Sequence, residues 1–225
     1  MRDSRTTTPL RLMIGLTVTA VLLGCVNQQE AKKQLNESDG YYKEGVSFLQ
    51  TDQQRAFVSF QKAVQLNPNN FDAHYALGGI YFQRKEFSDA EREFRASTEL
   101  NPHSGEALNF LGRTLILQNR KPEAIEVIRK ATKLPLYATP DIAYTDLGWL
   151  LASEGDITGA IEAYEYALKT DPPNIPRSFI YLWLGRLYMK QGDVVQAKAA
   201  LSQAKTLDPD GAVGKDATRL LQGLK

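Results

Sequence analysis

Few residues of this 225-residue chain have side chains suited to catalysis. It contains one cysteine, Cys25, and two histidines, His74 and His103, with no phosphate-binding loop and no cluster of metal ligands. His103 lies in a predicted turn, where a histidine is typically solvated. We therefore predict that the protein is not an enzyme and has no cofactor, metal or small-molecule substrate.

The chemistry open to Cys25 is acylation. Three arginines precede an apolar run, Leu12–Leu23, that is short for a transmembrane span and typical of an export signal. The ending Leu-Leu-Gly-Cys resembles the bacterial lipobox, in which cleavage before the cysteine leaves it as the acylated first residue. Because the chain has no second cysteine, an intramolecular disulfide is excluded.

The lipobox resemblance implies a lipoprotein. Residues 1–24 would be the signal peptide and Cys25 would carry the lipid, including palmitate. Val26 replaces the aspartate that retains many lipoproteins in the inner membrane, which implies the periplasmic face of the outer membrane. The polar residues up to position 39 are interpreted as a tether.

The predicted helices that would carry any binding residues belong to a repeated unit. Glycines recur at Gly45, Gly78, Gly112, Gly148 and Gly185, and an alanine follows each one after about twelve residues. Apolar residues at three- and four-residue spacings around them predict pairs of amphipathic helices. We expect the small residues to lie where two helices cross, with Gly78 and Ala90 as one such pair.

This pattern resembles the tetratricopeptide repeat, which has a period of about 34 residues. The resemblance implies an all-α superhelical solenoid of about five helix-turn-helix repeats, followed by a capping helix. We predict this domain over residues 40–225. The repeats would lie at about 37–70, 71–104, 105–140, 141–175 and 176–210, with the cap at 211–225.

Two longer spacings indicate loops before the fourth and fifth repeats. The first insertion spans residues 134–140, and the second contains Pro172, Pro173 and Pro176. Proline favours an interruption of the helices at both places.

The insertions support a narrower resemblance, to the type IV pilus biogenesis lipoproteins called pilotins. That family tends to carry Pro-x-Tyr-x-x-Pro before Asn-Leu-Gly. Pro135, Tyr137 and Pro140 match the first motif, whereas Asp146 departs from the second. The resemblance implies a pilotin that binds secretin subunits and promotes their localisation and multimerisation for pilus assembly.

In tetratricopeptide domains, five positions of each first helix face a groove that binds the partner. Transferred to this chain, they predict a partly apolar lining with aromatic and arginine anchors. The predicted groove residues are Tyr75, Phe82, Asn109, Arg113, Ile116, Leu117, Thr145, Trp149, Phe179, Leu182, Arg186 and Met189.

Composition leaves other protein-binding roles open. The net charge of +1 gives no argument for nucleic acid, and the charged residues are spread along the helices. Two alternatives are a periplasmic scaffold for peptidoglycan enzymes and an accessory lipoprotein of outer-membrane barrel assembly. The sequence does not choose among them, and it does not define the bound segment of the partner or the oligomeric state.

Overall fold

The computed structural model describes the backbone of residues 9–135 and 137–224, and the side chains of residues 28–135 and 137–224. Within these residues the chain forms α-helices joined by turns and loops, without a β-strand, which confirms the predicted all-α fold. The helices of the described chain are α1 (Pro9–Phe48), α2 (Gln53–Leu66), α3 (Phe71–Gln83), α4 (Phe87–Leu100), α5 (Gly105–Leu117), α6 (Lys121–Thr132), α7 (Pro140–Ser153), α8 (Ile157–Ala167), α9 (Arg177–Gln191), α10 (Val194–Leu207) and α11 (Ala212–Gly223).

The chain divides into two compact units, residues 1–77 and residues 78–225, with the boundary inside α3. In the first unit, α1 packs against α2. In the second unit, each helix from α4 to α10 packs against the next one along the chain. The first helices of the third and fourth repeats, α5 and α7, also contact each other, as stacking of helical pairs requires.

Glycines allow the two helices of a repeat to approach closely. A Cβ atom on Gly45 would lie 2.5 Å from the Phe60 ring of the first unit, and one on Gly78 would lie 2.7 Å from the Phe94 ring of the second. Any larger residue would push the paired helices apart. The same pairing recurs at Gly112–Ile128, Gly148–Tyr164 and Gly185–Leu201, which confirms the predicted role of the repeated glycine.

Several second helices begin at an aspartate cap. The side chains of Asp52, Asp156 and Asp193 accept hydrogen bonds from backbone N–H groups three residues later, at 3.0, 2.9 and 3.0 Å. Each bond satisfies a donor that has no partner within its own helix. The caps therefore define where α2, α8 and α10 start.

The described residues of both predicted insertions lie mainly in loops. The first lies between α6 and α7, where Tyr137 is buried against Gly105. The second lies between α8 and α9 and is held by Asp141, a fully buried residue in the first turn of α7. The Asp141 carboxylate accepts hydrogen bonds from the backbone N–H groups of Asn174 and Ile175, at 2.6 and 2.9 Å, and from the Asn174 side chain at 2.9 Å.

The segment interpreted as a tether is helical. Helix α1 includes residues 28–39, which therefore advance about 1.5 Å per residue, whereas an extended chain advances about 3.3 Å. Ser38, at the end of this segment, is fully buried and donates to the Ala63 carbonyl oxygen at 2.8 Å. The predicted tether is therefore helical over these residues, because the first-repeat helix continues through them.

Helix α11 lies at the predicted position of the capping helix. Its Ala217 is fully buried together with Leu182 of α9 and with Leu201 and Ala204 of α10. Leu220, Leu221 and Leu224 pack against the same cluster. Helix α11 thus covers apolar surface that the last repeat would otherwise expose.

Candidate functional site

A small hollow lies in the second unit, on the first helices of the second, third and fourth repeats. Its volume is about 170 Å³. Pockets for drug-sized ligands occupy about 300–1,000 Å³, so this hollow has room for roughly one large side chain. The residues that line it are Phe82, Arg113, Ile116, Leu117, Asp146 and Trp149.

Helical periodicity brings these residues to one face. Arg113, Ile116 and Leu117 occupy positions i, i+3 and i+4 of α5, and Asp146 and Trp149 occupy i and i+3 of α7. Because α5 and α7 contact each other, the two sets face the same hollow. Five of the six lining residues belong to the predicted groove set, so the structure brings these five together.

An aromatic cluster supports one side of the hollow. The Phe82 ring meets the Phe110 ring edge to face, with centroids 5.7 Å apart, and Phe110 stacks on buried Phe94 at 5.6 Å. The Arg113 guanidinium lies 5.8 Å from the Phe82 centroid and 5.6 Å from the Phe110 centroid. These cation–π contacts hold the arginine beside the hollow.

Asp146 places a partly desolvated carboxylate in the same hollow. Its side chain is 28% exposed, and its Oδ2 atom lies 3.9 Å from Arg113 Nε. In the part of the chain that the structure describes, this Oδ2 atom is buried without a hydrogen-bond partner. Burial raises the pKa of the Asp146 carboxyl group, and the Arg113 charge and a hydrogen bond from the Asn109 side chain only partly oppose this effect.

Trp149 forms the opposite rim of the hollow. Its side chain is exposed, and the Lys121 ammonium lies 5.8 Å from the ring centroid. Lys121 also pairs with Glu154 at 3.5 Å and donates to Ser153 Oγ at 3.2 Å. The tryptophan is thus held at the surface with much of its ring accessible, as in many binding hot spots.

Two predicted groove residues are buried below this surface. Asn109 and Thr145 are 3% and 8% exposed, and each lies one helical turn before Arg113 or Trp149. Among the described side chains, Asn109 Oδ1 and Thr145 Oγ1 are buried without a hydrogen-bond partner. Both side chains therefore expose little surface for direct contact with a partner.

In the fifth repeat the predicted groove is covered by α11. Leu182 is buried in the cluster beneath that helix, and Met189 packs against the cluster. Arg186 donates to Asp216 of α11 at 3.0 Å. The prediction of an open groove is wrong for buried Leu182, whereas Arg186 and Met189 contact or pack near the capping helix and stay partly exposed.

The two remaining groove residues are not among those that line the hollow. Phe179 is exposed at the start of α9, where its ring meets the Trp183 ring edge to face at 6.2 Å. Tyr75 belongs to the first unit and is half-buried in α3.

The predicted lipid site lies outside the residues whose side chains the structure describes. This holds for Cys25 and for the whole predicted signal peptide, residues 1–24. In the described residues, no helix combines the length and apolarity needed to cross a bilayer, and no group of three or more potential metal ligands comes together.

Asp146 and Lys121 are the site residues that the groove positions missed. Asp146 stands between two groove-facing positions, and the sequence signal for it was a carboxylate beside Leu147 in an otherwise largely apolar helix. Lys121 belongs to a second helix, α6, and reaches Trp149 across the repeat boundary. No periodicity within one helix indicates such a contact.

Relatives were found for most of the chain. It is 27% identical over 216 residues to the type IV pilus assembly protein PilF of Pseudomonas aeruginosa, an alignment covering 95% of this chain and 82% of that protein. It is 31% identical over 162 residues to cellulose synthase operon protein C of Pseudomonas fluorescens, covering 67% of this chain but only 12% of that much longer protein.

Solved structures share the fold. YrrB, a TPR protein with an unusual peptide-binding site, superposes with a TM-score of 0.67 at 20% identity, over 80% of this chain and 90% of its own. Pseudomonas aeruginosa PilF gives 0.66 at 21% identity, over 85% and 93%. The type IV pilus biogenesis factor PilW gives 0.61 at 21% identity, over 83% and 92%. At these identities the likeness shows the fold alone.

Family models identify the repeats directly. Models described as tetratricopeptide repeat match residues 85–141 and 151–221, and a model described as TPR repeat matches residues 48–85. Together with the helical pairs and the glycine crossings, these matches cover most of the region predicted to be repetitive. The chain belongs to the tetratricopeptide-repeat family.

Proposed function

We propose that this protein is an outer-membrane lipoprotein pilotin, which binds secretin subunits and promotes their multimerisation during type IV pilus assembly. The observation that carries the proposal is the similarity to PilF along nearly the whole chain. Repeat proteins differ widely in length, so a match that covers most of both chains is more informative than one confined to a few repeats.

The hollow is the proposed point of contact with the partner. Exposed Trp149 and Leu117 flank it, together with an arginine that lies against aromatic rings. Exposed aromatic and arginine side chains around an apolar depression are typical of protein-binding hot spots. Its small volume fits a side chain of a protein better than a separate small molecule.

The proposal assigns different roles to the N-terminal lipid site and to the repeats. A lipid on Cys25 would direct the protein to the periplasmic face of the outer membrane, and the repeats would carry the secretin subunit. No reaction catalysed by this chain and no cofactor is needed for this role, because binding a subunit and accompanying it to the membrane change no covalent bond.

The test is an immunoblot for detergent-resistant secretin multimers in membranes of the host. Cells with and without this protein are compared, and a plasmid copy is returned to the deletion strain. We expect the multimer to disappear in the deletion strain while the monomer persists, and to return with the plasmid. An unchanged multimer would reject the proposal, and a pulldown for cell-wall enzymes and barrel-assembly subunits would follow.

A further inference from the structure

The two arginines of the predicted groove have different surroundings. Arg186 is held by Asp216 of α11 at 3.0 Å and lies 5.2 Å from the Trp183 centroid. Arg113 has no hydrogen bond among the described residues, and its 3.9 Å separation from Asp146 exceeds the roughly 2.7–3.2 Å of an N–H···O bond. The N–H donors of Arg113 are therefore available beside the hollow.

The charged side chains around the hollow form pairs of opposite charge. Arg113 faces Asp146, and Lys121 beside Trp149 pairs with Glu154. A terminal carboxylate of a ligand that approached Arg113 would also meet the negative charge of Asp146. A neutral backbone carbonyl oxygen would accept from the same arginine without that repulsion, so the electrostatics favour an uncharged acceptor.

Asp146 is unfavourable for the free protein. Its Oδ2 atom is buried without a hydrogen-bond partner in the described structure, and an unpaired buried acceptor destabilises a fold. The Asn109 side chain and the nearby Arg113 charge only partly offset this cost. The proximity to Arg113 gives the carboxylate a second role, since its negative charge restrains the guanidinium and offsets the positive charge.

We propose that the hollow binds an internal segment of a protein partner. One large apolar side chain of the segment enters between Phe82 and Trp149, and a neighbouring backbone carbonyl oxygen accepts a hydrogen bond from Arg113. Asp146 is a positioning residue that orients Arg113 and sets the preference for an uncharged acceptor. This inference rests on the hollow being the partner-binding site, as proposed above.

The experiment uses a peptide array probed with the purified full-length chain. Short overlapping peptides from the secretin are placed beside random sequences, and each peptide is made with a free C-terminal carboxylate and as a C-terminal amide. We expect binders to share a large apolar residue. We also expect the acid and amide forms of one peptide to bind within about twofold of each other, because an internal segment needs no terminus.

Variants separate the roles of the charged residues. Arg113→Gln should weaken binding of the selected peptides by about tenfold or more. Arg186→Gln is the matched control and should stay within about twofold of the wild type, because its guanidinium is held by the capping helix. Asp146→Asn leaves Arg113 unopposed and should shift the ratio of acid to amide binding by about three- to tenfold toward the acid.

Each outcome bears on the inference. It is overturned if no peptide binds, if only free carboxylates bind, or if Arg113→Gln binds like the wild type. An Asp146→Asn protein that loses melting temperature, and binds acid and amide peptides equally less well, would make Asp146 structural and remove its positioning role. If random apolar peptides bind as expected and secretin peptides do not, the pilotin role fails while the binding mode stands.

Discussion

Trp149 and Asp141 illustrate two contrasting environments of a side chain in this fold, one exposed and one buried. Trp149 lies at the rim of the hollow, where its exposed ring has the protein below it and solvent above it. Asp141 is fully buried, and its carboxylate binds backbone and side-chain N–H groups of the loop before α9. We propose that the first residue contacts a partner, whereas the second holds a loop in place.

Trp149→Ala is expected to weaken partner binding with little loss of stability. Truncation of a hot-spot tryptophan typically lowers affinity by tenfold or more, whereas this exposed position should cost about 1 kcal/mol of unfolding free energy. The measurements are capture of secretin subunits and thermal unfolding followed by circular dichroism. Phe179→Ala is the matched control, because Phe179 is 37% exposed against 39% for Trp149 but lies outside the hollow. Equal capture by both variants would exclude Trp149 as an anchor.

Asp141→Ala is expected to lower the free energy of unfolding by about 2–4 kcal/mol, because it leaves buried N–H groups without an acceptor. Asp141→Asn keeps one carbonyl oxygen and should fall between this variant and the wild type. Urea denaturation of the purified protein gives the values. The control is Asp171→Ala, whose carboxylate is 82% exposed and pairs only with Arg177 among the described residues, so its effect should be small. Similar losses in the two alanine variants would contradict the anchoring role.

At the scale of helices, charged residues connect neighbouring repeats away from the hollow. Glu91 and Arg95 of α4 face Arg120 and Glu123 at the start of α6, and each arginine pairs with both glutamates. Burial raises the pKa of Glu91, but hydrogen bonds from Arg120 and Arg95 outweigh it and the net shift is downward. The same two arginines lower the pKa of Glu123.

This network should make stability depend on pH. A carboxyl group with a lowered pKa in the folded state contributes stability above its unfolded pKa of about 4.3, and the contribution is lost as the pH falls through the folded value. We expect a double-mutant cycle of Glu91→Gln and Arg120→Gln, measured by urea denaturation, to show favourable coupling at neutral pH. That coupling should vanish once the glutamates are protonated. If the coupling free energy were the same at neutral pH and at a pH where the glutamates are protonated, the contact would not be electrostatic.

At the scale of the whole molecule, the open apolar surface and the proposed anchor belong to different parts of the chain. The hollow lies in the second unit, and α11 covers the corresponding face of the fifth repeat. Cys25 precedes the first repeat by sequence. We therefore expect a lipid at that position to leave the packing of the repeats unchanged and to determine location.

Cys25→Ser is accordingly expected to leave the repeats folded but to missort the protein, so that it loses its outer-membrane location. Circular dichroism of the purified variant should match that of the wild type, and membrane fractionation should move the variant out of the outer-membrane fraction. Serine preserves the size of the side chain but cannot form the thioether that lipidation requires. Retention of the variant in the outer membrane would reject the lipid anchor.

Much of the fold could be predicted from local pattern. A glycine recurring every 34 or so residues, opposite a bulky residue of the following helix, requires close helical crossings, and Gly45–Phe60 and Gly78–Phe94 show them. Proline-containing insertions interrupted the helices where expected, before α7 and α9. These features depend on interactions within one repeat. The short-range spacing of residues in the sequence therefore predicts them.

The candidate site depends on contacts between different repeats and with the capping helix, which residue spacing in the sequence does not predict. One positional rule placed Arg113 and Arg186 on the same kind of surface, but only Arg113 borders the hollow, because α11 supplies Asp216 to Arg186 and covers Leu182. The sequence alone determined the helical pairs, the faces they turn toward one another and the candidate acylation motif. Only the tertiary structure decided which part of the predicted groove stays open, because this depends on whether a neighbouring helix covers each face or leaves it to solvent.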